Sequence, residues 1–180
     1  VASMGCNVNW GSIDMMPESG KPIFNDIDDI VIPADLLARQ GCLVPLKAIG
    51  FLKRELAEDC AVCGKVFGPW TQAYHYFGLE NFLMMTATDT GKVRQILDKL
   101  FPVTLAFAKA QLDAGADCIL IADHATSDLC SPQAYDMFLK PVHTRLAKEL
   151  NCPTILHICG NTKDRIKYIG ETGFDCFHWD

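Results

Sequence analysis

Short, continuously apolar segments alternate with amphipathic helical segments in the second half of the chain, and this order restricts the possible folds more than any other feature. The apolar segments are residues 117–123, 154–159 and 174–180. Apolar residues three or four positions apart mark helices between them. Strands without polar–apolar alternation are typical of a parallel sheet that is covered by helices. The sequence therefore predicts an α/β fold.

Prolines and one N-cap residue predict where these helices begin and bend. Ser131 can accept hydrogen bonds from the first backbone N–H groups of a helix, and Pro132 suits its first position. Pro102 and Pro141 lie inside helical patterns. A proline within a helix removes a backbone hydrogen bond, so we expect a kink or break at each of these two positions.

The first half of the chain is less regular. Residues 1–32 are rich in Gly, Pro, Asn and Asp, which favours irregular structure with short strands. Apolar spacing predicts a helix over residues 45–58, and an apolar run predicts a strand over residues 61–67. We expect Gly68-Pro69 to end that strand, which places Tyr74-His75-Tyr76 in the loop that follows.

The length of the chain limits the size of the fold. A full (β/α)8 TIM barrel takes about 250 residues, so a chain of 180 residues holds part of one. Val1 is not a start methionine, and no helix follows the last predicted strand. We therefore expect a truncated chain, with one domain over residues 1–180 that is a fragment of a barrel. A doubly wound open sheet is the alternative, but no Gly-rich nucleotide-binding loop follows any predicted strand.

Charge and composition argue against two classes of partner. The net charge is −6 and no Lys/Arg-rich run is present, so nucleic acid is not an expected partner. No apolar stretch reaches the ~18–20 residues that span a bilayer, so a membrane is not expected either. The nine cysteines lie mostly in apolar runs, as free thiols do in a reducing compartment. We therefore expect a cytoplasmic protein.

His157 and Cys159 are the most informative candidates for a chemical role. Alternate side chains of a strand point to the same face, so these two residues are predicted to project together at the carboxyl end of a buried strand. Parallel α/β folds place their active sites at that edge. An imidazole nitrogen and a thiolate sulfur are natural zinc ligands, although zinc needs at least three protein ligands. The alternative is a buried histidine beside one of many buried cysteines.

Other polar residues are predicted to lie at the same edge of the sheet. Asp123 and His124 end the strand of residues 117–123, where they would contact a substrate or cap a loop. Asp180 ends the last predicted strand, residues 174–180, where its carboxylate would bind a metal or polar substrate, or would only be solvated.

Three further candidates give weaker indications. Cys60 and Cys63 have C-x-x-C spacing, but no second pair follows at zinc-finger distance, so packing at the start of a strand is the favoured interpretation. His143 lies in the middle of a predicted helix and His178 in the middle of a predicted strand. Neither histidine has an obvious partner in the sequence.

Several segments together resemble the uroporphyrinogen decarboxylase superfamily, a family of (β/α)8 barrels, and within it the methylcobamide:coenzyme M methyltransferase branch. In chain order they are Phe67-Gly68-Pro69-Trp70-Thr71, Gly78-Leu79-Glu80-Asn81-Phe82, Ala114-Gly115-Ala116-Asp117, Leu129-Cys130-Ser131-Pro132 with Tyr135 and Phe138, and His157-Ile158-Cys159-Gly160-Asn161. The last segment is the most specific, because it is similar to the first part of the zinc site of the methyltransferase branch. The decarboxylases use no metal.

The resemblance implies roles for particular residues. His157 and Cys159 match the first two zinc ligands, and both are the implied catalytic residues. The third ligand of that family is a cysteine on a later strand, beyond residue 180, and Asp180 is an alternative oxygen ligand. Asp123, Asn161 and Asp180 are the implied substrate-binding residues.

The resemblance also implies an activity and its partners. Zn2+ would bind the thiol of coenzyme M and lower its pKa, and the thiolate would attack the methyl group of a methyl-corrinoid such as methylcobalamin. The corrinoid would be carried by a separate corrinoid protein that docks at the barrel mouth. The alternatives are a metal-free decarboxylase on the same barrel, or a non-catalytic fragment that binds a corrinoid or a partner protein. Exposed strand edges in a partial barrel would also favour a homo-oligomer.

Overall fold

A four-stranded parallel sheet lies at the centre of the computed structural model, which describes residues 1–56 and 59–179. Near the N-terminus, a separate antiparallel ribbon pairs β1 (Val8–Asn9) with β2 (Glu18–Ser19). The parallel strands are neighbours in chain order, and they are β3 (Cys63–Phe67), β4 (Cys118–Ala122), β5 (Thr154–His157) and β6 (Cys176–His178). Helical segments connect each strand to the next, which confirms the predicted α/β fold with a parallel sheet.

Helices cover one face of this sheet. In chain order they are α1 (Gln40–Leu56), α2 (Pro69–Phe77), α3 (Leu79–Thr88), α4 (Thr90–Asp113), α5 (Pro132–Ala134), α6 (Lys140–Glu149) and α7 (Ile166–Gly170). The helix predicted over residues 45–58 therefore begins five residues earlier, at Gln40, and residues 57–58 of that prediction lie outside the described residues. None of the helices in the described chain is long and apolar enough to cross a membrane.

The two faces of the sheet differ in burial. Ile119, Ile121 and Leu156 are completely buried under the helices. Full burial of each such side chain contributes about 1.5–3 kcal/mol to the free energy of unfolding. The strand register places Phe67, Ala122, His157 and His178 in one row on the opposite face. We call this second face the open face, and the row lies at the carboxyl ends of the strands.

The turn after β3 differs from the prediction. Gly68 is the N-cap of α2 and Pro69 occupies its first turn, so Tyr74-His75-Tyr76 lies in a helix and the predicted loop is wrong. A proline at the start of a helix costs nothing, because its missing N–H has no partner within the helix. The same dipeptide therefore ends the strand and begins the helix.

The two internal prolines have different effects. Helix α4 runs through Pro102 as one helix, so the break predicted there is absent. Before Pro141 the chain forms a π-helical turn over Tyr135–Leu139, which separates α5 from α6. A proline donates no hydrogen bond to the preceding turn, and prolines and π turns are both known sites of helix distortion. The predicted distortion therefore occurs at the second proline.

Two aspartates tie the amino ends of the strands together. Asp117 accepts hydrogen bonds from the Val62 backbone N–H (2.8 Å) and from Lys53 Nζ (2.5 Å). Asp175 accepts from both the backbone N–H (2.8 Å) and the hydroxyl (2.9 Å) of Thr154. Each aspartate thus joins the start of its own strand to the start of the preceding one, and this fixes the register that aligns the opposite, carboxyl ends.

Candidate functional site

His157 and Cys159 lie together at the carboxyl edge of the sheet. His157 is the last residue of β5, and its Nε2 lies 2.9 Å from the Sγ of Cys159. Ile158, between them, is completely buried on the other side. The structure thus places the two side chains on one face, as the strand periodicity predicts, and both are half-buried. Their role as metal ligands remains a prediction.

The loops that follow β4 and β5 are joined directly behind this pair. Gly160 has a φ of 75°, and a Cβ at this position would lie 2.8 Å from the Thr126 hydroxyl oxygen. The backbone N–H of Ser127 donates to the Asn161 carbonyl (3.0 Å). The side chain of Asn161 is exposed, and its Oδ1 accepts from the Lys163 backbone N–H (3.3 Å). Substrate binding by Asn161 remains a prediction.

Asp123 is buried beneath the rim, with only 1% of its surface exposed. One carboxylate oxygen accepts from the Thr71 backbone N–H at the start of α2 (2.7 Å), and the other lies 3.0 Å from His143 Nε2. His143 Nδ1 in turn lies 2.9 Å from the Tyr135 hydroxyl. The sequence does not indicate these partners of His143. The structure shows Asp123 capping a helix, and its contact with a substrate remains a prediction.

Aromatic side chains form the rim beside Cys159. The Tyr74 hydroxyl lies 3.4 Å from His124 Nδ1, and the rings of Phe67 and His75 are 5.9 Å apart. The pKa of Tyr74 is raised to about 12, mainly by burial, while a hydrogen bond with Thr71 opposes the shift and Asp123 and Cys159 make smaller contributions to it. Burial also lowers the pKa of His75 to about 4. Tyr74 and His75 are therefore uncharged at neutral pH.

His178 is a site residue that the sequence analysis missed. Register pairs it with His157 across β5 and β6, and the two Nδ1 atoms lie 2.7 Å apart. The backbone N–H of Ile158 donates to the His178 carbonyl (3.2 Å), which holds the two strands together at this point. The sequence does not indicate this partner of His178, because the pairing is set by strand register.

The described residues do not supply a complete set of ligands for a metal ion. Within residues 1–56 and 59–179, no group of three or more His, Cys, Asp or Glu side chains is arranged to hold a metal ion. A catalytic zinc ion needs three protein ligands, and His157 with Cys159 supplies two. Asp180, the predicted oxygen ligand, lies outside the described residues.

The C-x-x-C pair lies at the opposite end of the sheet. Cys63 begins β3, where register pairs it with Cys118 of β4. Burial raises the pKa of the Cys63 thiol to about 11, and Cys118 adds to this effect. A thiol with so high a pKa is a poor nucleophile at neutral pH, which favours a structural role.

A cavity of about 490 Å3 lies between α1, α4 and β3, and Lys65 and Phe67 on the open face of β3 are among the residues that line it. Its walls are mainly apolar and include Leu36, Cys42, Ile49, Val66 and Phe107. None of Asp123, His157 and Cys159 lines it. The candidate site is therefore the carboxyl rim of the open face and not this cavity.

Comparison with known proteins identifies one family model and several methyltransferase relatives. The family model for uroporphyrinogen decarboxylase (URO-D) matches residues 1–180. A methylated-thiol–coenzyme M methyltransferase of Methanosarcina mazei is 35% identical over 178 residues, which are 98% of this chain and 48% of that protein. A methylcobamide:CoM methyltransferase of Methanosarcina barkeri is 32% identical over 175 residues, which are 96% of this chain and 52% of that protein.

A solved structure has the same fold. The structure of a methyltransferase from Methanosarcina mazei matches with a TM-score of 0.92 and 33% identity, over 98% of this chain and 53% of that one. The chain thus spans about half the length of the relatives it matches. The four-stranded parallel sheet agrees with the predicted partial (β/α)8 barrel, and the family model covers every residue. The chain belongs to the uroporphyrinogen decarboxylase family.

Proposed function

We propose that this chain is the part of a methyltransferase that holds the reacting thiol, and that the enzyme moves a methyl group from a methyl-corrinoid to coenzyme M. The observation that carries the proposal is the 2.9 Å contact between His157 Nε2 and Cys159 Sγ at the carboxyl edge of the sheet. Relatives that cover nearly all of the chain are named for methyl transfer to coenzyme M, which supports this choice of reaction.

The donor set of the pair fits a zinc ion. The imidazole nitrogen and the sulfur lie 2.9 Å apart at the rim, and both atom types are ordinary zinc ligands. The third protein ligand would come from Asp180 or from a cysteine on a later strand. When bound, zinc supplies a Lewis acid that lowers the pKa of a thiol, so that the thiolate is present at neutral pH.

The proposed reaction needs no reagent other than coenzyme M and the methyl-corrinoid. The coenzyme M thiol releases its proton to solvent, and its sulfur forms a bond with the methyl carbon. The bond between carbon and cobalt breaks, its electron pair stays on cobalt, and Co(III) of the corrinoid becomes Co(I). The neutral aromatic rim of Tyr74 and His75 adds no charge that would compete with the thiolate, and Phe67 offers a flat apolar face to the macrocycle.

Lys65 is the residue that we assign to the sulfonate of coenzyme M. It is the one lysine or arginine on strands β3 to β6 of the described chain, and register places it on the same face as His157. Its Nζ lies 6.0 Å from the centre of the Phe67 ring, and Phe67 belongs to the same row as His157. The ammonium group therefore extends toward the carboxyl rim, where the anionic end of the thiol substrate would lie.

The test replaces each donor separately in the complete polypeptide. We expect His157→Ala and Cys159→Ala to lose zinc, measured by elemental analysis, and to lose methylation of coenzyme M by methylcobalamin. Cys176→Ala is the matched control, because Cys176 lies on the open face of β6, away from the pair. Circular dichroism checks that each variant is folded.

Three outcomes would contradict the proposal. Full activity of either donor variant would refute the ligand assignment. Wild-type protein that holds no zinc would instead favour a metal-free decarboxylase. Stoichiometric zinc without any thiol methylation would favour a corrinoid-binding or partner-binding role.

A further inference from the structure

We infer that His178 is a positioning residue, which fixes the ring orientation and the proton position of His157 so that Nε2 presents its lone pair toward Cys159. The part of this inference that concerns zinc rests on the proposed function. The part that concerns the proton of His157 stands on the hydrogen-bond geometry and is tested without metal.

His157 lies between two groups, and each of them contacts a different nitrogen of its ring. Cys159 Sγ lies 2.9 Å from Nε2, and His178 Nδ1 lies 2.7 Å from Nδ1. The two imidazole rings are 4.8 Å apart and tilted by 33°. The ring of His157 is thus held at both ends, and rotation about its side chain would break both contacts.

The donor and acceptor capacities of these groups couple the two contacts, so that the donor at one contact decides the donor at the other. A neutral imidazole has one N–H donor and one acceptor nitrogen. If the Cys159 thiol donates to Nε2, then Nδ1 of His157 carries the proton and donates it to Nδ1 of His178. His178 then holds its own proton on Nε2. This arrangement satisfies each contact, and it leaves on His157 Nε2 the lone pair that a metal ion requires.

His178 supports His157 and does not join Cys159 as a ligand. Its Nδ1 meets the ring nitrogen that faces away from the sulfur, so one ion cannot contact His178 and Cys159 in this arrangement. Histidine ligands generally donate their second N–H to a partner, and loss of that partner costs about 10–100-fold in metal affinity. His178 has the position and the acceptor atom for this role.

The first test compares two substitutions by zinc affinity. His178→Phe keeps an aromatic ring but has no acceptor, whereas His178→Asn keeps a carbonyl oxygen near the position of Nδ1. We expect zinc affinity, measured by competition with a chromophoric chelator, to fall about 10–100-fold in His178→Phe and to recover largely in His178→Asn. Strand pairing is expected to survive, because the bond to Ile158 uses the backbone carbonyl of His178. Equal affinity of His178→Phe and the wild type would overturn the inference.

The second test reads the proton position in metal-free protein. Nitrogen-15 NMR distinguishes the two neutral forms of an imidazole, and Cys159→Ala removes the thiol contact at Nε2 while it keeps the contact with His178. We expect His157 of Cys159→Ala to carry its proton on Nδ1, and the Cys159→Ala/His178→Phe variant to populate the Nε2–H form. An unchanged form in the double variant would refute the positioning role. If wild-type protein binds no zinc but this shift occurs, the proposed function fails and the positioning role stands.

Discussion

The carboxylate of Asp123 lies in the space that a side chain at Gly68 would need, and from there it caps helix α2. A Cβ at position 68 would come within 2.8 Å of the Asp123 Cβ and still closer to its carboxylate. Gly68 is the N-cap of α2 and has no side chain to accept hydrogen bonds. Asp123, at the end of a neighbouring strand, accepts from the Thr71 N–H instead. The turn after β3 therefore depends on a residue that follows β4.

Gly68→Ala is predicted to destabilise the protein, because the carboxylate of Asp123 has no room to move. Both of its oxygens are engaged, one by Thr71 and the other by His143. Overpacking of this kind costs about 1–3 kcal/mol in the free energy of unfolding, which urea denaturation measures. Gly170→Ala is the control, because a Cβ there meets nothing within 4 Å. Equal urea midpoints for the two variants would show that the space beside Gly68 is larger than described.

Asp123→Ala is predicted to cost more than Tyr135→Phe, although both change the same buried network. The alanine leaves the Thr71 N–H and the His143 ring without an acceptor, and a broken buried pair costs about 3–5 kcal/mol. The phenylalanine removes one neutral hydrogen bond to His143, which is worth about 1 kcal/mol. Urea denaturation of both single variants and the double variant measures the two costs and their coupling. Similar costs for the two single variants would contradict the prediction that the Asp123 carboxylate contributes more to the network than the Tyr135 hydroxyl.

Local sequence patterns were sufficient to place the pair at the centre of the candidate site. His157 and Cys159 are two residues apart at the end of an apolar run, and the two-residue period of a strand alone puts them on one face. The edge at which they lie follows from the order of strands and helices. Neither inference needs knowledge of a distant residue.

Contacts between distant segments could not be predicted in this way. His178 meets His157 because β5 and β6 pair in one particular register, and His143 on α6 meets Asp123, twenty residues earlier, through the folding of the chain between them. The sequence contains no local pattern for either contact. The helix at Pro69 was missed for a different reason, since a proline after glycine is equally compatible with a loop and with a helix start.

Lys65→Met is predicted to weaken binding of coenzyme M and leave the chemical step intact. A hydrogen bond to a charged group is worth about 1.5–3 kcal/mol, so the KM for coenzyme M should rise at least about tenfold with little change in kcat. The thiol 2-mercaptoethanol lacks the sulfonate, and its KM should not change. Lys47→Met is the matched control, because Lys47 is exposed on α1. An equal rise in KM for both thiols would refute the assignment of Lys65 to the sulfonate.

Replacement of both Asp117 and Asp175 by asparagine is predicted to flatten the acid dependence of stability. The hydrogen bond from Lys53 is the main cause that lowers the pKa of Asp117, and the Thr154 backbone N–H does the same for Asp175. In acid, the unfolded chain therefore binds more protons than the folded chain. The stabilisation that these carboxylates provide is present above the ordinary aspartate pKa of about 3.9, and it is lost as the pH falls through their lower pKa values in the folded state. Urea denaturation between neutral pH and about pH 3 should show the wild type losing its advantage over the double variant. Asp113→Asn, at an exposed position at the end of helix α4, should follow the wild type at every pH. An advantage that stays constant down to the lowest pH would show that these two carboxylates do not gain stability from their charge.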